Sequence, residues 1–174
     1  MHTECSGRSF FCQAEDGIRA LVRSRGLGDV YKRQLVSFVK TSGQKGLHVC
    51  VPLNRGEATF ADTKRYARAV AEVLQRSYPE LVTARMAKKH RKGKVFINWS
   101  QNDAAKTMIC VYSLRAREKP TVSFPLSWEE LEKAARRGGA EKLQVLHSEA
   151  VSRVEKDGDL FRGMLLRKQQ LPHP

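Results

Sequence analysis

The chain has 174 residues, 41% of them hydrophobic, which is enough for one domain with a substantial core. Its 32 Lys and Arg residues outnumber 18 Asp and Glu residues, so the formal net charge is +14 at pH 7. A positive field of that size favours a polyanionic partner such as nucleic acid or nucleotide. No apolar run is long enough to cross a bilayer and no secretion signal opens the chain, so we expect no membrane association and a cytoplasmic protein.

The four cysteines show neither C-x-x-C pairs nor nearby histidines at zinc-finger spacing: Cys5, Cys12, Cys50 and Cys110. We therefore predict no structural metal site and no disulfide framework. Cys50 and Cys110 lie in apolar, strand-like runs, which predicts that both are small buried hydrophobic residues.

The first 34 residues differ in character from the rest. Read back through the genetic code, Q-A-E-D-G-I-R at 13–19 and S-R-G-L-G-D-V-Y-K-R-Q at 24–34 permit the nucleotide strings of two sequencing-library adapters, and Ala20 requires one mismatch. We expect residues 1–34 to be a disordered foreign leader, with residues 13–34 translated from adapter and the natural sequence beginning near Leu35. A natural basic arm is the alternative, and the coding nucleotides decide between them.

From Leu35 onward, strand and helix patterns alternate. β-branched and apolar residues predict strands at 35–40 and 46–53, joined by a tight loop at 41–45. Apolar or small residues at helical spacing predict a helix over 60–78 that covers the sheet, and Pro79 stops it.

The second half of the chain continues this alternation. Strands are expected at 94–99 and 106–113, paired as a hairpin whose polar bend at 101–105 faces a phosphate site. Ser127 and Glu130 form a capping-box signature for a helix that ends at Gly138 and Gly139. Ser148 is expected to cap a further helix that ends at Gly158. The predicted fold class is α/β (α+β), with a mixed, mainly antiparallel sheet flanked by helices.

Three segments carry the chemistry: K-T-S-G-Q-K-G-L-H-V-C-V-P at 40–52, V-F-I-N-W-S-Q-N at 95–102 and Y-S-L-R-A-R at 112–117. The small residues of the first segment let backbone approach an anion, and its serine, lysine and histidine offer three kinds of donor. The paired arginines of the last segment suit phosphate oxygens. Together these segments indicate a site for nucleotide phosphates, although G-x-x-x-x-G-K-[ST] is not satisfied and an ATPase is disfavoured.

In this order and spacing, the three segments resemble the polymerase (primase-like) domain of bacterial ATP-dependent DNA ligase D. The resemblance runs over 35–172 and includes L-V-T-A-R-M-A-K at 81–88, P-T-V-S-F-P-L-S-W-E-E-L at 120–131 and G-D-L-F at 158–161. It implies a DNA repair nucleotidyltransferase that adds nucleotides to DNA ends in non-homologous end joining. It further implies an incomplete primase-polymerase fold over 35–174, with NTP or dNTP, Ku and a ligase domain as partners near the bacterial nucleoid.

The resemblance assigns triphosphate contacts to Ser42, Lys45, His48, Arg115 and Arg117. From pattern alone, a turn built by Ser42 and Gly43 and a structural His48 are the simpler interpretation, with the arginines as solvated surface charges. The basic run from 85 to 94 predicts contacts with the DNA backbone, or equally a solvated loop. Its candidate DNA-binding residues are Arg85, Lys88, Lys89, Arg91 and Lys92.

The chain departs from the family pattern where metal is bound. Two-metal nucleotidyl transfer needs clustered carboxylates to hold Mg²⁺ or Mn²⁺. The family's Asp-x-Asp pair belongs before residue 40, where adapter-like sequence stands, and its third carboxylate falls at Asn98, an uncharged amide. Asp103 lies five residues further on, in a predicted loop. We therefore expect no intact catalytic or metal site and no polymerisation by this chain.

Three hypotheses for function remain. The chain is the C-terminal part of a ligase D polymerase module, or a non-catalytic nucleotide- or DNA-binding module without metal chemistry, or a basic globular fragment with no function of its own. An upstream reading frame that carries Asp-x-Asp favours the first, and a natural start near Leu35 favours the second.

Overall fold

A computed structural model of the chain describes residues 9–12, 35–54, 58–137 and 143–172. The strands are β1 (Ser9–Cys12), β2 (Phe38–Thr41), β3 (Leu47–Cys50), β4 (Val82–Thr83), β5 (Val95–Phe96), β6 (Leu114–Arg115), β7 (Thr121–Val122), β8 (Pro125–Leu126) and β9 (Val145–Leu146). The helices are α1 (Phe60–Ser77), α2 (Trp128–Arg137), α3 (His147–Asp157) and the short α4 (Gly163–Leu166), with 3₁₀ turns at Lys88–His90 and Trp99–Gln101.

The largest sheet has four strands in the order β1-β3-β2-β8, all antiparallel. Pro125 is tolerated in β8 because this strand forms an edge and needs no donor on its outer side. Helix α2 covers the sheet, and Leu131, fully buried, packs with Val39 and Leu126. These residues belong to the hydrophobic core between α2 and the four-stranded sheet.

Helix α1 packs on a small parallel pair, β4 and β5. Thr59 caps the helix, because its hydroxyl accepts a hydrogen bond from the Asp62 backbone while the Asp62 carboxylate accepts from the Thr59 backbone. Ala67 and Ala71 are completely buried, so the helix axis lies close to the pair. This contact, with Ile97 following β5, supports the segment that carries Asn98.

A three-stranded antiparallel sheet, β6-β7-β9, is covered by α3. Val122, Phe124 and Val145 form its core, and Ala150 and Val154 of α3 pack on them. Strand β7 leads through Ser123 directly toward β8, so the third sheet and the four-stranded sheet share a continuous piece of chain. That connection brings β6 beside the β2–β3 loop.

The mixed, mainly antiparallel α+β fold is confirmed, as are the helix over 60–78, the Ser127 cap and the helix end at Gly158. The glycines expected to close α2 lie outside the described residues. Ser148 is not a cap, because α3 already begins at His147. Cys50 is buried in β3 as predicted, whereas Cys110 is exposed.

The predicted hairpin of 94–99 with 106–113 is wrong. Strand β5 pairs in parallel with β4, through Val82 with Val95 and Thr83 with Phe96. Residues 106–113 contain no strand, and the chain turns at Tyr112, which has a φ of 64°. An apolar run alone does not identify its partner, and the backbone of β5 is satisfied by a strand that precedes it.

Of the expected leader, residues 1–34, the structure describes only residues 9–12. Residues 9–12 form β1, which pairs with β3 from Ser9 opposite Cys50 to Cys12 opposite Leu47, so disorder is wrong for these four residues. Residues 13–34, to which the adapter hypothesis applies, lie outside the described residues. In the described part of the chain, no helix has the length and apolar character needed to cross a bilayer.

Candidate functional site

The loop between β2 and β3 is shaped by Ser42. Its hydroxyl oxygen accepts hydrogen bonds from the backbone N–H groups of Gln44 and Gly46, both at 3.1 Å, and its own N–H donates to the Gly46 carbonyl at 2.8 Å. Ser42 therefore builds the turn, as the simpler interpretation held. The Ser42 hydroxyl proton is not used in these two bonds, so the same side chain retains a donor for a ligand.

Gly43 permits a close approach between this loop and β6. It has a φ of +68°, and a Cβ there would lie 2.8 Å from Arg115 Cγ and 3.2 Å from the Ser123 nitrogen. Any larger residue would push the loop away from Arg115. The absence of a side chain at position 43 therefore permits the close contact between the third sheet and the loop.

Replacing Gly43 with alanine is expected to destabilise the protein by about 1–3 kcal/mol through backbone strain and steric clash together. Chemical denaturation would measure the change in the free energy of unfolding. Gly93→Ala is the matched control, because Gly93 has the same φ of +68° but nothing within 4 Å of an added Cβ. Equal losses in the two variants would contradict the close approach of loop and β6.

Arg115 is held by the loop that it faces. Its Nε donates to the Ser42 carbonyl at 3.1 Å, and this bond does not use the donors on the two terminal nitrogens of the guanidinium. Tyr112 anchors the start of the same segment: its ring packs edge-on against Phe124, and its hydroxyl donates to Asp159 Oδ1 at 2.6 Å. Burial, followed by this carboxylate, raises the Tyr112 pKa far above its ordinary value, so the hydroxyl remains a donor.

A cavity of about 430 Å³ opens between the loop, β3, β6 and the segment after β5. All five residues predicted to contact a triphosphate line it: Ser42, Lys45, His48, Arg115 and Arg117. Asn98, Gln101, Thr107, Met108 and Ile109 complete much of the opposite wall, and none of the described lining residues is acidic. Strand β6 contains Arg115 but ends before Arg117, so the two arginines share the cavity without sharing one strand.

His48 is neutral at pH 7 in this cavity. Burial, then the positive charges of Lys40 and Arg115, lowers the pKa of His48 from 6.5 to about 3. A neutral imidazole offers one N–H donor and no net charge. The positive potential of the site therefore comes from Arg115, Arg117, Lys40 and Lys45. His48 contributes a directional hydrogen-bond donor but no charge.

Lys40 is a site component that its sequence position did not reveal. Its side chain is only 1% exposed, and Nζ donates to the Ile109 carbonyl at 2.9 Å and to Ser123 Oγ at 2.6 Å. It lies opposite His48 in the β2–β3 register. Lys40 thereby fixes the 107–109 wall of the cavity and places a buried positive charge beside His48. A charged residue within an apolar strand was the available signal.

The described residues of the cavity do not fit a divalent metal. Asn98 Oδ1 accepts from Ser100 Oγ at 2.9 Å, so an amide engaged with its neighbour stands at the position where the resemblance implies a carboxylate. Asp103 is held by Lys64 at 2.6 Å and is not among the lining residues. Throughout the described residues, no three His, Cys, Asp or Glu side chains cluster closely enough to hold a metal ion. Hard cations such as Mg²⁺ require oxygen ligands, above all carboxylates.

The predicted DNA-binding residues are distributed around the 3₁₀ turn Lys88–His90. Arg91 is the exception among them, because its guanidinium lies 3.7 Å from the Phe96 ring centroid and it also donates to the Met86 carbonyl. It is therefore a packing residue at least in part. The other four are exposed to solvent: Arg85, Lys88, Lys89 and Lys92.

Comparison with known proteins identifies the family to which the chain is similar. The sequence model of the family described as LigD, primase-polymerase domain, matches residues 27–161. The multifunctional non-homologous end joining DNA repair protein LigD of Mycobacterium tuberculosis is 44% identical over 127 residues, which cover 73% of this chain and 16% of that protein. LigD of Mycolicibacterium smegmatis is 39% identical over 155 residues, covering 86% and 18% respectively.

A solved structure shows the same fold. The polymerase domain of Mycobacterium tuberculosis ligase D, in complex with DNA, superposes with a TM-score of 0.76 at 36% identity, over 92% of this chain and 54% of that one. The fold and the sequence therefore define a primase-polymerase type of domain. This chain belongs to the LigD primase-polymerase family. It spans about half of the solved domain and less than a fifth of the curated relatives.

Proposed function

We propose that the cavity binds the triphosphate of an NTP or dNTP. The observation that carries this is the convergence of Ser42, Lys45, His48, Arg115 and Arg117 on one cavity whose described lining holds no acid. Guanidinium groups and the backbone N–H groups of tight turns are donors that recognise phosphate oxygens.

Titration calorimetry with ATP, ADP, AMP and adenosine tests this proposal. We expect affinity to fall with each phosphate removed, because each phosphate loses charge-assisted hydrogen bonds, and adenosine to show no binding. Inorganic triphosphate should compete with ATP. Equal binding of ATP and adenosine would show that the base rather than the phosphates is recognised, and would contradict the proposal.

At the level of the whole module, we propose that this chain is part of a bacterial nucleotidyltransferase that acts on DNA ends in non-homologous end joining. Support comes from the name of the Mycobacterium tuberculosis relative and from the solved neighbour, which is in complex with DNA. Ku and a fused ligase domain are the partners proposed with it. The family match begins at residue 27, eight residues before the boundary expected at Leu35.

The alternative is a nucleotide- or DNA-binding module without metal chemistry. Asn98, bonded to Ser100, and Asp103, paired with Lys64, favour it for the chain as written. In the intact family, carboxylates would hold Mg²⁺ or Mn²⁺, which would supply charge stabilisation for nucleotidyl transfer. A primer-extension assay with manganese separates the two: template-dependent addition overturns the alternative.

A further inference from the structure

A second opening lies beside α1, away from the nucleotide cavity. It measures about 680 Å³ and has α1 on one side and the segment after β4 on the other. We call it the α1 groove and define it by the residues that line it: Arg68, Glu72, Gln75, Arg76, Ala84, Arg85, Met86, Ala87, His90 and Trp99. Three arginines face one glutamate here, so the groove is positively charged at neutral pH.

One end of the α1 groove is aromatic. Arg68 Cζ lies 5.2 Å from the centroid of the Trp99 ring, and Arg68 Nε donates to Glu72 Oε1 at 2.8 Å, which holds the guanidinium over the indole. Trp99 Nε1 donates to the Ala84 carbonyl at 3.0 Å, so the ring has a fixed orientation. Met86, 45% exposed, adds a flexible apolar wall.

The other two arginines of the groove are exposed and show no ion pair with any described residue. Arg76 projects from the last turn of α1, and Arg85 follows β4. A backbone phosphate therefore finds charge along the groove, while an unpaired base finds the planar Arg68 guanidinium, which lies over the Trp99 ring, at its end. Duplex DNA has no free base face to offer.

We propose that the α1 groove binds single-stranded nucleic acid, with a base stacked on the Arg68 guanidinium that covers Trp99 and with phosphates at Arg76 and Arg85. The proposal rests on the module-level function proposed above and names a surface for its DNA partner. Trp99 begins the same 3₁₀ turn whose last residue, Gln101, lines the nucleotide cavity. A strand in the groove would thus pass beside the nucleotide site.

Fluorescence anisotropy with a labelled twelve-nucleotide oligo-dT tests the charges. The double variant Arg76→Met, Arg85→Met should weaken binding roughly tenfold at low salt and reduce the slope of log K against log salt by about 1.4, since each single-strand phosphate contact contributes about 0.7. The matched control is Arg136→Met, Arg137→Met, which removes two exposed arginines from α2. Equal effects of the two variants would show only nonspecific charge and overturn the proposal.

Tryptophan fluorescence tests the stacking. The chain has two tryptophans, Trp99 and Trp128, so Trp128→Phe leaves Trp99 as the only emitter. We expect oligo-dT to quench this emission, and a matched hairpin duplex or inorganic polyphosphate to leave it nearly unchanged. Quenching by all three would overturn the base contact. The Arg76→Met, Arg85→Met variant should bind ATP as tightly as the wild type does. If the wild type binds oligo-dT but not ATP, the nucleotide-cavity proposal fails and the α1-groove proposal stands.

Discussion

Replacing both Arg115 and Arg117 with methionine is expected to weaken ATP binding by about 100-fold, the largest functional effect that the site predicts. Charge-assisted hydrogen bonds contribute about 1.5–3 kcal/mol each, and two of them correspond to a factor of this size or more. Methionine keeps much of the aliphatic volume while removing the charge. Calorimetric titration with ATP measures the change directly.

The two arginines should not contribute equally. Arg115 is half-buried and oriented by the Ser42 carbonyl, whereas Arg117 is exposed and lies beyond β6. A guanidinium already held in place loses less side-chain entropy on binding, so Arg115→Met alone should account for most of the loss. The Arg136→Met, Arg137→Met variant controls for net charge. A control that weakens ATP binding as much as the cavity variant would contradict direct phosphate contact.

Local signals in the sequence predicted local structure well. Helix α2 was predicted from Ser127 and Glu130, and the Ser127 hydroxyl does accept from the Glu130 backbone at 3.0 Å. The end of α1 before Pro79 was also predicted from a local signal, because proline lacks the backbone N–H that a helix needs as a hydrogen-bond donor. Such contacts span three or four residues and can be read directly from the chain.

Pairing between distant segments was not predictable in this way. Strand β5 pairs with β4, and no pattern within 94–99 indicates a parallel partner thirteen residues upstream. Cys110 was expected to be buried because its neighbours are apolar, yet the positive φ of Tyr112 turns the chain and leaves Cys110 exposed. Hydrophobicity indicates that a segment will be buried but does not identify the surface that covers it.

The candidate site shows the same division. The residues predicted to contact a triphosphate were assigned through resemblance of three motifs, and the structure brings them to one cavity although Ser42 and Arg115 are far apart in the chain. Lys40 was not assigned, since a lysine ordinarily reads as solvated and its Nζ partners are Ile109 and Ser123, 69 and 83 residues away. The position of Lys40 within an apolar strand was a signal of burial, but its distant partners are identified only in the folded chain.

Acidification is expected to destabilise the protein through His48. The pKa of His48 is about 3 in the folded protein and 6.5 in the unfolded chain, where the imidazole is exposed to water. Between these values the unfolded chain binds a proton that the folded protein does not, so stability is fully present above pH 6.5 and is lost as pH falls toward 3. The maximum slope is about 1.4 kcal/mol per pH unit.

His48→Asn isolates this contribution, because asparagine retains a polar side chain that does not titrate. Urea unfolding of both proteins between pH 7 and 4 should show a stability loss in the wild type that is largely absent from the variant. Asp62 and Asp103 also have lowered pKa values, but from 3.8, so their contributions are lost mainly below this window. Parallel pH profiles for the two proteins would contradict a buried neutral imidazole. Bound triphosphate should flatten the wild-type profile, because its negative charge offsets the Lys40 and Arg115 charges that disfavour imidazolium.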